Sequence, residues 1–297
     1  MKSLSFLTRL VLLYLILALT GASAAARDLD EVRASGVLRH LGIPYANFVT
    51  GGGDGLDVEL MQAFAAHLGV AYEYVPSDWD RVFGDLQGRH ARKGADDHAE
   101  LLESTPVKGD LIANGMTVLD WRRELVDFST PTFLSGVWLI ARADSALKPI
   151  QPTGTREGDI ALVKSKMRGL SVLALESTCL DPTLYKIADT GANVRLLGPG
   201  RNLNEMAPTI LKGLAETTLL DIPDALIALE KWPGDVKVIG PVSGEQQMAV
   251  AFPKDAPKLR AAFNSWFEQF KKEGHYRELV EKYYPAVFLY VSDSFAS

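Results

Sequence analysis

The chain has 297 residues, with 31 lysines and arginines against 37 aspartates and glutamates, for a formal charge of -6. An acidic surface argues against nucleic acid or an anionic membrane as the main partner. The single cysteine, Cys179, excludes an internal disulfide and any cysteine-built metal cage.

At the start, Lys2 and Arg9 precede a run from Leu10 to Leu19 that is nearly all apolar, and Ala22, Ser23 and Ala24 offer a small-residue cleavage site. That is the layout of a secretory signal peptide over residues 1–24, and the run is short for a membrane span. Removing it takes away Lys2 and Arg9 and no acid, so the charge moves from -6 to -8. The mature chain, about 270 residues, is long enough for two compact domains.

Alternating strands and helices follow. Val37 to Leu41 reads as a strand, and Met61, Phe64, Ala65 and Leu68 stand at helical spacing before Gly69. Val70 to Val75 is a second strand. Residues Gly88 to Val107 are polar and read as a surface excursion. An apolar strand from Asp110 to Ala113 precedes the segment from Asn114 to Ser129, where Thr117 stands five residues before Arg122. Ser171 to Leu175 is strand-like; Asp181 and Pro182 then predict a helix start, with Gly191 ending it. Further strands are expected at Val194 to Leu197, Thr218 to Leu220 and Val236 to Ile239, with Pro223 opening a helix between the last two. Leu259, Phe263, Trp266, Phe267 and Phe270 define one late helical face, and Tyr276, Leu279, Val280 and Tyr283 another. The pattern predicts open α/β sheets with helices on both sides, which bind ligands beyond the carboxyl ends of their strands.

Thr117 and Arg122 at the end of the Asp110 strand suit one anionic group, since arginine presents a planar fork of donors to a carboxylate. This segment resembles the ligand-carboxylate motif of periplasmic solute-binding proteins of family 3, the polar amino acid receptors of ABC transporters. The similarity extends along the chain. Gly36 to His40 (GVLRH) is similar to the family's opening strand, Tyr45 to Phe48 to its aromatic segment, and Gly55 to Leu60 (GLDVEL) to its helix start. Trp79 stands where a second aromatic follows the next strand, and Gly109 with Asp110 precedes the arginine motif. Arg168 to Thr178 and Leu219 to Asp224 resemble two segments of the family's second half.

The resemblance implies an α/β, two-lobed type II periplasmic binding protein fold, each lobe a sheet flanked by helices, joined by two hinge strands. Lobe 1 would comprise residues 27–136 completed by 245–297, and lobe 2 residues 137–244. Arg122 and Thr117 would take a ligand carboxylate, with backbone amides near Ser177 and Thr178 approaching from the other lobe. Asp221 would take an ammonium, and Tyr45 and Trp79 would sandwich the ligand side chain. It implies a monomeric periplasmic receptor that passes an amino-acid-like ligand to an inner-membrane ABC permease, without enzymatic activity, cofactor, metal or nucleic acid. The rival is an enzyme on the same scaffold, similar to cyclohexadienyl dehydratases, with Asp224 or Glu176 as general acid. A third reading, the sensory module of a larger cell-wall enzyme, meets only twelve residues after Pro285 in this chain.

Plainer readings stand beside these. Tyr45 and Trp79 serve equally as core aromatics, Ser177 and Thr178 as a helix start, and Asp221 as a turn residue. The family's pattern is broken at three places. Gly42 stands where receptors for cationic amino acids carry an acid, Glu176 replaces a glycine, and residues 88–107 are an insertion. Glu176 either enters the cleft or faces solvent. His90, Asp96, Asp97 and His98 are of metal-ligating type, but their spacing fits no compact motif. The glycine run from Gly51 to Gly55 lacks the lysine of a phosphate loop, and Cys179 has no histidine near it in sequence to activate it.

Overall fold

The computed structural model describes residues 26–198 and 201–290, so the leader expected over residues 1–24 lies outside the described residues. Helix α1 (Leu29–Ser35) is capped by the Asp28 side chain, and strand β1 (Val37–Gly42) follows. Helix α2 (Leu56–Leu68) then returns the chain to β2 (Ala71–Pro76), which pairs with β1 in parallel with Val37 opposite Ala71. A parallel pair needs such a crossover. Leu56, Leu60, Phe64 and Leu68 are buried along α2 at intervals of four, so one stripe of it seals the sheet.

After α3 (Val82–Gln87), the expected surface excursion is ordered structure. Strands β3 (Arg89–Lys93) and β4 (Ala99–Ser104) form an antiparallel hairpin. Strand β5 (Leu111–Ile112), the short helix α4 (Asp120–Arg123) and β6 (Val126–Phe128) come next. The chain crosses over through β7 (Phe133–Ser135). The second lobe contains β8 (Val137–Arg142), α5 (Arg156–Ser165), β9 (Ser171–Ala174), β10 (Asn193–Leu196), α6 (Met206–Leu211), β11 (Thr217–Asp221), α7 (Ile222–Lys231) and β12 (Val236–Pro241). The return runs through β13 (Gln246–Met248), paired antiparallel with β7, into β14 (Ala251–Pro253), α8 (Pro257–Lys272), α9 (His275–Tyr283) and α10 (Val287–Tyr290).

Two five-stranded sheets result, ordered β2-β1-β5-β14-β6 and β10-β9-β11-β8-β12. In the second, β8 runs antiparallel between β11 and β12. The late aromatic faces close the first lobe: the ring of Phe64 on α2 meets Phe263 and Trp266 on α8 at centroid distances of 5.2 and 5.1 Å. Among the described residues no helix is long and apolar enough to cross a membrane.

One expected helix is absent. From Asp181 the chain makes turns and only a short 3-10 segment, Ala188–Thr190, ends at Gly191. The capping chemistry is present, since Asp181 accepts the Thr183 N–H at 3.0 Å. Lys186, however, adopts a left-handed φ of 54°, which breaks helical propagation after one turn. At Pro223 the start shifts by one residue: α7 begins at Ile222, and Asp221 is its N-cap, accepting the Asp224 N–H at 3.2 Å.

Candidate functional site

The loop from β5 to α4 carries the first half of the site. Gly115 turns it with φ of +64°, and a Cβ there would stand 2.3 Å from the Phe48 ring, so only glycine fits. Its N–H donates to Asp57 Oδ2 at 2.6 Å. One turn later, Arg122 is 1% exposed. Its Nη1 donates to the Thr117 carbonyl at 2.9 Å, its Nε has no partner, and no carboxylate pairs with it among the described residues. The guanidinium instead lies 5.4 Å from the Trp79 ring centroid and 5.3 Å from that of Trp121, where cation–π attraction offsets part of its desolvation. Burial lowers its pKa to about 10, against the opposing influence of Cys179, Tyr185 and Tyr45, so it stays charged at neutral pH.

The second half comes from the other lobe. Asp221 at the end of β11 is 1% exposed. Its Oδ2 accepts from the Tyr45 hydroxyl across the cleft and from the Cys179 thiol at 3.5 Å. Burial raises the Asp221 carboxyl, while the Tyr45, Asp224 and Cys179 donors pull it back down. Asp224, on the same turn, is pushed far up by burial and then by the charge of Asp221. Two neighbouring buried carboxyls cannot both ionise cheaply, and Asp224 is the one whose charged form its surroundings oppose more strongly. The Cys179 thiol is likewise raised by burial and by Asp221, against Arg122 and the Thr117 hydroxyl, which makes it a packed donor rather than a nucleophile.

The structure thus brings together Arg122, Thr117, Tyr45, Trp79 and Asp221. The rings of Tyr45 and Trp79 meet edge to face at 6.3 Å and 75°, while the Tyr45 hydroxyl bonds to Asp221 and its face stacks on Phe48. Glu176 and Ser177 are exposed, so the Glu176 carboxylate is not buried among these groups. Ser177 has a left-handed φ of 60° and its amide donates to Asp181 Oδ2 at 3.1 Å, so that N–H is already engaged. Thr178 is buried, but its hydroxyl donates to the Leu175 carbonyl and accepts the Leu180 N–H, which shapes the loop.

Three contributors escaped sequence reasoning. Cys179, weighed above only as a nucleophile, touches Asp221 through its thiol at 3.5 Å. Tyr185 donates to the Cys179 carbonyl and accepts from Gln246 Nε2 at 3.0 Å, joining that loop to β13. Asn114, directly before Gly115, is fully buried with neither side-chain polar atom partnered. Its place at the end of β5 was the available signal, because polar residues at strand ends of such sheets face the ligand. Among the described residues no group of three or more His, Cys, Asp or Glu could hold a metal; His98 of the hairpin is paired with Glu124 at 2.6 Å.

Two sheet-and-helix lobes joined by two strands, with polar groups from both meeting between them, define a type II periplasmic binding protein fold. The chain belongs to the bacterial extracellular solute-binding proteins, family 3, whose model matches residues 99–286. It is 27% identical over 235 residues to membrane-bound lytic murein transglycosylase F of Desulfosudis oleivorans, covering 78% of this chain but only 44% of that protein. It is 23% identical over 241 residues to the L-cystine-binding protein TcyJ of Escherichia coli, covering 78% of this chain and 74% of TcyJ. Among solved structures, a mutant of ArgBP from T. maritima superposes with a TM-score of 0.65 at 23% identity, covering 86% of this chain and 99% of that one. An ancestral amino acid-binding protein, a precursor of cyclohexadienyl dehydratase, does so with 0.64 at 24% identity, covering 86% and 98%.

Proposed function

We propose that this chain is the periplasmic substrate-binding protein of an ABC transporter, and that it holds an amino acid or a similar small molecule between two closing lobes. The lobes would be residues 27–136 with 245–297, and residues 137–244, hinged through β7 and β13. The observation that carries this reading is a buried arginine without a counter-charge facing a buried carboxylate across the cleft. A zwitterion supplies what both lack: its carboxylate completes Arg122 and its ammonium completes Asp221, displacing the Tyr45 hydroxyl. The cystine-binding relative and the neighbours of amino acid-binding type support that ligand class. The permease and the periplasmic location follow from the family's role, and the receptor would act as a monomer.

Asp224 favours a second reading. A carboxyl whose proton is held tightly by burial, beside a ligand site, suits the general acid that a dehydratase needs for protonating a leaving hydroxyl. A thermal-shift screen of the mature chain against amino acids and prephenate-like acids separates the two. A ligand at a hundred times its dissociation constant adds about 2.7 kcal/mol. A hit recovered intact by mass spectrometry supports the receptor, a hit that is consumed supports the enzyme, and no hit from either class counts against both.

Asp221→Asn tests the ammonium assignment. The amide oxygen still accepts the Asp224 N–H, so stability of the free protein should change by about 1 kcal/mol or less. Affinity for an amino acid hit should fall by roughly 2–5 kcal/mol, because a desolvated ammonium loses its counter-ion. Calorimetric titration of both proteins reads this, and equal affinities would remove Asp221 from the site.

A further inference from the structure

The hairpin of β3 and β4 reaches the other lobe. At its tip, Lys93 Nζ donates to Thr183 Oγ1 at 3.1 Å and lies 3.5 Å from Asp181 Oδ2, both across the cleft, while Asp97 of the hairpin holds it at 2.6 Å. The Lys93 side chain is 8% exposed and that of Asp181 5%, so this contact is sheltered from water. An exposed ion pair contributes little, but a sheltered one loses much when a partner is removed.

The turn end of the hairpin touches both halves of the site. On the same turn, His98 Nδ1 and the Ala99 amide contact the Glu124 carboxylate at 2.6 and 2.9 Å, two residues after Arg122. Across the cleft, Asp181 accepts the Ser177 amide and the Thr183 amide and hydroxyl, and so shapes the loop that presents Thr178 and Cys179. Apolar contact runs alongside, since Leu184 of the second lobe packs on the cluster that contains Ala91 of β3. Opposite the hairpin, Asn204 bridges the lobes through the Ala46 amide at 3.0 Å and the Pro44 carbonyl at 3.3 Å.

We infer that the 89–104 hairpin is a cross-cleft clasp, and that Lys93 is a positioning residue which holds the lobes closed and fixes the Ser177–Asp181 loop against the arginine side of the site. The contact joins two parts of the protein itself, so the clasp stands apart from which ligand is bound.

The test compares Lys93→Met, Thr183→Val and, as control, Arg92→Ala in the mature chain. Arg92 pairs with Glu100 at 2.8 Å within the hairpin and contacts no residue of the other lobe in that pair. Hydrogen exchange followed by mass spectrometry and small-angle scattering are recorded without ligand, then with L-arginine and L-cystine as probes. Lys93→Met should speed exchange over residues 176–184 by roughly fivefold or more and enlarge the radius of gyration, with residues 89–104 still protected. Thr183→Val should act in the same direction and less strongly, and Arg92→Ala should leave both readouts unchanged. Wild-type exchange and scattering in Lys93→Met would overturn the clasp, as would an equal effect from Arg92→Ala, which would make hairpin folding the cause. Failure of both probes to bind the wild type would weigh against the proposed ligand class and leave the ligand-free comparison decisive for the clasp.

Discussion

Arg122→Met is expected to weaken ligand binding strongly and to leave the free protein as stable as before, or more so. The two halves of this result have one cause. Arg122 is buried, its Nε is unpartnered, and among the described residues its hydrogen bond runs to the Thr117 carbonyl. Desolvating a charge costs several kcal/mol, and among the described residues no carboxylate repays it. A methionine of similar length would fill the volume beside Trp79 and Trp121 without that cost, which should raise stability by about 1–4 kcal/mol. In the complex the balance reverses. A ligand carboxylate left without its guanidinium should weaken binding by about 2–5 kcal/mol, or roughly thirtyfold to several thousandfold. Melting curves with and without a ligand found by screening read both effects. A variant that melts several degrees lower without ligand would show Arg122 to be structural, and an unchanged ligand shift would show that the carboxylate binds elsewhere.

Asp57 supplies the second large effect, on stability against pH. Its carboxyl is buried in the first turn of α2, accepts one hydrogen bond, from Gly115, and has one oxygen with no partner. Burial raises its pKa from 3.8 to about 7, with the Gly115 N–H opposing. Below 3.8 the folded and unfolded chains both hold this proton. Between there and about 7 only the folded chain holds it, so rising pH favours unfolding across that window and the contribution is lost by its upper end. Three units correspond to on the order of 4 kcal/mol. Asp57→Asn keeps an acceptor for Gly115 and removes the titration. The variant should therefore gain stability over the wild type steadily from pH 4 to pH 7 and hold that gain above it. Denaturant unfolding at a series of pH values measures the difference, and parallel profiles would mean that Asp57 titrates normally. The result bears on the site as well, because Gly115 turns the loop that carries Thr117 and leads to Arg122.

How far such features could be read in advance depended on the distance over which their causes act. Helix α2 and strand β1 were legible because burial imposes a period on nearby residues: Phe64 and Leu68 had to face the sheet that Leu38 and Leu41 build. Arg122 and Thr117 were legible for the same reason, as polar groups at a fixed offset beyond an apolar strand. The hairpin was not, because Ala91 is the one inward residue of β3 and charges occupy most of its other positions, which leaves almost no alternation to detect. At Asp181 the capping signal was real, but capping acts over one turn and says nothing of Lys186, whose left-handed backbone stops the helix. The bond from Tyr45 to Asp221 spans 176 positions and is made only when two lobes meet. No local pattern encodes it.

The strand order of the first sheet also dictates when that sheet can be finished. Strand β14 lies between β5 and β6, although 123 positions separate Ala251 from Phe128, its neighbour on β6, by residue number. A nascent chain that has emerged as far as residue 245 holds every strand of the second sheet, yet its first sheet still has a gap in the middle. The lobe begun first is therefore completed last, with its gap filled by three residues, Ala251 to Pro253, and its outer face sealed only when α8 arrives. Until then the unpaired edges of β5 and β6 are exposed to other chains, which makes the interval before residue 253 emerges the period of greatest vulnerability to aggregation.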